Sequence, residues 1–336
     1  MIAALVEQYV DDTSPDFAIL PSAGSFKDFV KSYFVGTVAS GLAYLAMIQD
    51  GYQWADHFEN VAGGNPSATR APDFVFTGNG TGTALVESKG TRSAGRATFD
   101  STVEAGYLGQ VEPHLGHTVN GLCATHGYAV GSWLTSTTKA ELLIHHTAAS
   151  TVAGNGERPA DPSLEVQRHN YATAMQLVHG LALAAQLRQG LIEYVPPMLR
   201  FEWLGRTWLT RLPWASLFHL YPSYLREWRL EDFDDFDDAA PLPFAGFAID
   251  EQIASSVFSY FTDADRPEDT RLAIEPIPPN LAGEARRSYD GEAGAVFPDG
   301  LAVIGWENPL FGSRRPRGTP RWWNRVWWNQ ESRSFR

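Results

Sequence analysis

Lysine is scarce in this chain, occurring only at Lys27, Lys31, Lys89 and Lys139. Lys89 stands out because it ends the apolar run Ala84-Leu85-Val86 and follows Glu87 with one residue, Ser88, between. In a strand, residues i and i+2 point to the same face, so Glu87 and Lys89 should emerge side by side from an apolar sheet. Charge buried there is costly unless compensated. Asp73, directly after Pro72, opens the preceding strand-like run and is the nearest further carboxylate by topology. Paired strands lie ~4.8 Å apart, so Asp73 and Glu87 can converge if the register lets them. Two carboxylates and a lysine suit a hard divalent ion such as Mg²⁺, while the ammonium orients a water or helps to deprotonate it.

Other chemistries compete less well. His114-x-x-His117 with Cys123-x-x-His126 offers four ligands suited to Zn²⁺. However, Cys123 and His126 fall in an expected strand, where a gap of three sends side chains to opposite faces. His145-His146 should likewise divide into one core and one surface residue. No Ser-His-Asp or Cys-His set can be selected without spatial partners. The turn Gly78-Asn79-Gly80-Thr81-Gly82 lacks the Lys-Ser/Thr of a phosphate-binding loop.

The elements that must position these residues can be read from periodicity. An apolar helix is expected over about Val35–Ile48, then a strand over Tyr52–Val61. Asp73–Thr77 and Thr83–Lys89 should pair as a hairpin around the Gly-rich turn, whose residues tolerate positive φ. A helix over Phe99–Leu115 is expected to be capped by Asp100-Ser101-Thr102. Strands at Gly121–Leu134 and Ala140–Thr147 follow, then one long helix over Ser163–Gly190. Beyond Tyr194 the texture changes: a hairpin at Arg200–Leu209, the acidic run Glu231–Asp238, a helix at Ile249–Phe261 and a hairpin at Gly294–Gly305. The order predicts an α/β or α+β layer with one mostly hidden sheet, residues 1–193, and a C-terminal α+β accessory region, residues 194–336.

Composition bounds the rest. With 336 residues, 44% hydrophobic and 19% charged, the chain is an ordinary globular one. Its formal charge of −13 repels nucleic acid over the surface as a whole, so an anion site must be a local cationic patch. One cysteine, Cys123, excludes an intrachain disulfide and favours a cytoplasmic setting. The N-terminal residues lack the pattern of a secretory signal. Ser32–Gln49 is uncharged, yet Gly36, Thr37, Ser40 and Gly41 make it a core helix rather than a membrane span.

Pro72-Asp73 followed by Glu87-Ser88-Lys89 resembles the PD-(D/E)xK nucleases, whose restriction-endonuclease-like core implies an α/β fold with a mixed central sheet flanked by helices. In order of elements the resemblance covers about Lys27 to Gln186. It implies that Asp73 and Glu87 hold Mg²⁺, with Mn²⁺ as substitute, helped by the Ser88 carbonyl. It further implies that Lys89 positions the attacking water and that Gln110, on the following helix, completes the catalytic set. A glutamate that the family frequently places on the first helix has no counterpart in Val35–Leu42, which puts a second metal in doubt. Arg92 and Arg96 follow Lys89 and are candidates for phosphate contacts. The tail Arg314–Arg336 interleaves arginines, Arg321 and Arg325 among them, with Trp322, Trp323, Trp327 and Trp328. That pattern either tracks a nucleic-acid strand or packs on the domain or a protein partner. The expectation is a Mg²⁺-dependent nuclease acting on nucleic acid, DNA favoured over RNA, in bacterial defence or repair, with no membrane partner and homo-oligomer formation left open. The alternative is a non-catalytic scaffold or partner-binding protein that retains the nuclease-like fold.

Overall fold

The computed structural model describes residues 9–10, 17–135, 139–147, 162–196, 198–211, 245–267, 270–278, 292–306 and 328–335. The acidic run 231–238, Arg321 and Arg325 lie outside them. The chain divides into two compact units, Met1–Tyr171 with Gly318–Arg336, and Ala172–Arg317.

The first unit is built on a seven-stranded mixed sheet. Helix α1, Asp28–Gln49, precedes β1 (Trp54–His57), β2 (Phe74–Gly78) and β3 (Gly82–Thr91). Helix α2, Arg96–Gly106, leads to β4 (Thr118–Val119), β5 (Leu122–Trp133) and β6 (Ala140–Thr147). The last strand, β12 (Trp328–Phe335), comes from the far end of the sequence. Spatial order is β1-β2-β3-β5-β6-β12, with β4 paired to β5. Neighbours run antiparallel except β3 with β5 and β6 with β12, which are parallel.

The expected β2–β3 hairpin forms, with Phe74 opposite Val86 and Thr77 opposite Thr83. Its tip holds Gly80 at φ 80° and Gly82 at φ 73°, values that glycine adopts without a Cβ penalty. On one face of the sheet, Phe34, Val35, Val38 and Leu42 of α1 join Phe76, Ala84, Val86, Val130, Leu142 and Ile144 in a buried cluster. Among the described residues no helix is long and apolar enough to cross a membrane. The Ser32–Gln49 stretch is part of α1 and supplies that core.

The opposite face carries α2, drawn close because β5 has glycine beneath it. A Cβ on Gly131 would sit 2.2 Å from Val103 Cγ2, and one on Gly127 would sit 2.4 Å from Val111 Cγ1. Helix α2 starts at Arg96 after Gly95 with no side-chain cap, three residues before the expected start. Asp100 instead bonds His145, and Ser101 and Thr102 bond carbonyls one turn back, so the expected cap residues are spent inside the helix. The helix then widens into a π turn, Tyr107–Val111, and a 3-10 turn, Glu112–His114.

The expected single helix over Ser163–Gly190 is two: α3, Leu164–Val178, and α4, Leu181–Gln189. Gly180, at φ 112°, leaves the helical region and breaks the run, although the apolar spacing continues across it. In the second unit β7 (Leu199–Trp203), β8 (Arg206–Thr210), β9 (Ala245–Asp250), β10 (Glu292–Val296) and β11 (Leu301–Trp306) form an antiparallel sheet ordered β10-β11-β9-β8-β7. Helix α5, Glu251–Thr262, follows β9 directly and is capped by the Asp250 carboxylate, which accepts from Ile253 N at 3.0 Å.

Candidate functional site

The end of β3 gathers the chemistry. Glu87 and Lys89 pair with Ala129 and Gly131 of β5 and share the face covered by α2. Ser88 points the other way, where its hydroxyl lies 3.1 Å from the Ser40 hydroxyl of α1. Glu87 is 1% exposed, and its Oε1 accepts from the Lys89 ammonium, whose side chain is 29% exposed. Glu87 Oε2 is buried with no hydrogen-bond partner among the described residues.

Asp73 ends the loop before β2 and is exposed. Its Oδ2 accepts from Ser88 N at 2.8 Å, so the carboxylate sits beside the peptide between Glu87 and Lys89. A strand residue sends its N–H and C=O toward the same edge, which places the Ser88 carbonyl on the Asp73 side as well. Gln110 lies on the π turn. Its Oε1 accepts from Lys89 Nζ at 3.3 Å, and its Nε2 donates to the Ala71 carbonyl at 3.2 Å. The π turn is held to the sheet by a 2.8 Å bond between the Tyr107 and Thr147 hydroxyls. Gly106 leaves room above the pair: a Cβ there would meet Lys89 Cε at 3.4 Å and Glu87 Cγ at 3.5 Å. Asp73, Glu87, Ser88, Lys89 and Gln110, expected from the sequence as one constellation, are therefore neighbours.

Burial pushes the Glu87 carboxyl above the usual carboxylate range; the Lys89 hydrogen bond and charge oppose this, as does the nearby Gln110 amide, which lies outside hydrogen-bonding geometry to Oε2, and the Asp73 charge reinforces it. Two like charges around an unpartnered oxygen make a place where a hard cation relieves both repulsion and desolvation.

The arginines after Lys89 are engaged elsewhere. Arg92 Nη1 donates to the Leu20 carbonyl at 3.4 Å, and burial lowers its pKa. Arg96 pairs with Glu141 at 2.8 Å. Among the described residues, no group of three or more His, Cys, Asp or Glu side chains is placed to hold a metal, so the zinc set does not assemble. His114 is buried between the Asn65 amide and the Arg70 carbonyl, Cys123 is exposed, and His126 Nδ1 meets the Thr125 hydroxyl. His145 is buried, with Nε2 2.9 Å from Asp100, while His146 stacks on Tyr128.

Two features escaped the sequence reading. Asp56, buried in β1, bonds His169 of α3, Asn60 and the His57 amide; partners 113 positions apart leave no local signal. Arg70 stands three residues before Asp73 on a segment fastened to the π and 3-10 turns; its one signal was nearness to Pro72-Asp73. No protein-family model, curated protein or solved structure matches the chain.

Proposed function

We propose that this protein is a divalent-metal-dependent phosphodiesterase acting on nucleic acid, DNA by preference, with a restriction-endonuclease-like core. The observation that carries the reading is Glu87: a buried carboxylate with one oxygen unpaired among the described residues, flanked by an exposed Asp73 carboxylate and an ammonium. Hard oxygen donors from Asp73, Glu87 and the Ser88 carbonyl fit Mg²⁺ or Mn²⁺, which accept one or two carboxylates and keep several waters. Bound there, the cation supplies Lewis-acid stabilisation of phosphoryl oxygens and acidifies water.

The chain's own residues do the rest. Lys89, steadied by Glu87 and Gln110, holds positive charge beside the reacting phosphate and orients the attacking water. Gln110 ties the lysine to the Ala71 carbonyl, so the loop carrying Asp73 and the strand carrying Lys89 are positioned together. The helix-strand order supports the restriction-endonuclease-like assignment: α1, the meander β1-β2-β3, then α2 crossing to β5 parallel with β3.

A second reading, a partner-binding scaffold of this fold, is favoured by one contact. Glu87 and Lys89 already neutralise each other, as in a structural ion pair. Supercoiled plasmid, linear duplex, single-stranded DNA and RNA incubated with pure protein in Mg²⁺, Mn²⁺ or EDTA separate the two. The enzyme reading expects cleavage that needs the metal and falls by about 10²-fold or more in Lys89→Ala with the fold intact. Absence of cleavage of every substrate leaves the scaffold, and cleavage that persists undiminished in EDTA overturns the metal-dependent reading.

A further inference from the structure

We propose that Arg70 grips a phosphate of the bound nucleic-acid strand next to the Asp73–Glu87–Lys89 centre; this rests on the phosphodiesterase reading above. A chain of charge −13 needs a local cation to admit a polyanion. The two arginines that follow Lys89 in sequence are drawn to the Leu20 carbonyl and to Glu141. Arg70 differs from both. It is exposed, and among the described residues its guanidinium makes no hydrogen bond or ion pair.

Its backbone, by contrast, is tightly held. The buried His114 ring accepts from Asn65 N at 3.1 Å through Nδ1. That bond leaves the proton on Nε2, which donates to the Arg70 carbonyl at 2.9 Å. The next carbonyl, of Ala71, accepts from Gln110, and the Asn65 amide group donates to the Pro113 carbonyl at 2.8 Å. The Phe58 ring packs edge-on against His114 at 5.0 Å. Both carbonyls of the Arg70-Ala71 pair are thus turned inward onto the segment that bears Gln110, and the arginine side chain is left to solvent three residues from Asp73. A fixed backbone anchors the uncommitted guanidinium at a set point beside Asp73, and arginine binds phosphate oxygens bidentately.

The test uses the full chain and fluorescein-labelled DNA and RNA oligonucleotides: anisotropy in Ca²⁺ for binding and Mg²⁺ turnover for KM and kcat. Arg70→Ala is expected to weaken binding and raise KM by roughly tenfold with kcat nearly unchanged. The slope of log K against log salt should become shallower by about 1. Arg70→Lys should restore the salt slope while recovering only part of the affinity. Arg200→Ala, a charge loss in the second unit, should leave all of these values at wild type. If the wild type cleaves and Arg70→Ala matches it in KM and salt slope, the Arg70 assignment is overturned and the phosphodiesterase reading stands. If the wild type neither binds nor cleaves any substrate, both fall.

Discussion

At Glu87 stability and the proposed function pull apart. Its carboxyl is held above the ordinary value of 4.5 chiefly by burial, so the folded protein keeps the proton to higher pH than the unfolded chain does. The favourable contribution is complete below the unfolded pKa and is lost as pH rises through the folded one. Glu87→Gln should therefore melt at or above the wild-type temperature at pH 8, with the gap closing towards pH 4.5, while cleavage disappears. Thermal melts across that range check the sign, and a variant less stable at pH 8 than at pH 4.5 relative to wild type would contradict it. If Glu87 ligates the proposed cation, proton and metal compete for the carboxylate, so the metal concentration needed for cleavage should rise as pH falls. The neighbourhood was legible in sequence because Glu87 and Lys89 differ by two positions in a strand. The unpaired Oε2 was not, since it depends on what α2 and β5 place around it.

Among elements, the contact of α2 with β5 decides whether Gln110 reaches Lys89. Gly131→Ala would drive a methyl to within 2.2 Å of Val103 Cγ2 from a fixed strand backbone. It should cost about 1–3 kcal/mol by overpacking and weaken cleavage as the π turn lifts. Gly106→Ala makes the opposite case. Its methyl would rest at 3.4–3.5 Å from Lys89 and Glu87, and alanine favours helix over glycine by about 1 kcal/mol. It should fold as well as wild type or better. Denaturant midpoints of the two variants give the comparison. The hairpin was readable from Gly78–Gly82 between the short apolar runs Phe74–Phe76 and Ala84–Val86, as was the run of strands at β5 and β6. The π turn and the break at Gly180 were not. One arises from packing on the sheet, and the other interrupts an apolar spacing that continues beyond it.

For the whole molecule, the sheet of the first unit borrows its last strand from residues 328–335, which lie parallel to β6 over Trp328–Ala140 to Phe335–Thr147. The Arg/Trp-rich composition of the tail allowed packing on the domain, but no local pattern could announce that residues 328–335 form a strand or pair with β6. Deleting residues 328–336 strips β6 of a neighbour and bares a row of backbone donors and acceptors. The truncated protein should melt lower and self-associate, which calorimetry and light scattering would register; unchanged melting would mean that β12 adds nothing to the unit. The same pairing sets an order on biosynthesis. While the ribosome is still working through the second unit, Asp73, Glu87 and Lys89 have already emerged, yet the sheet beneath them waits for a strand not yet translated. Completion of this sheet is thereby deferred until Trp328–Phe335 have been made.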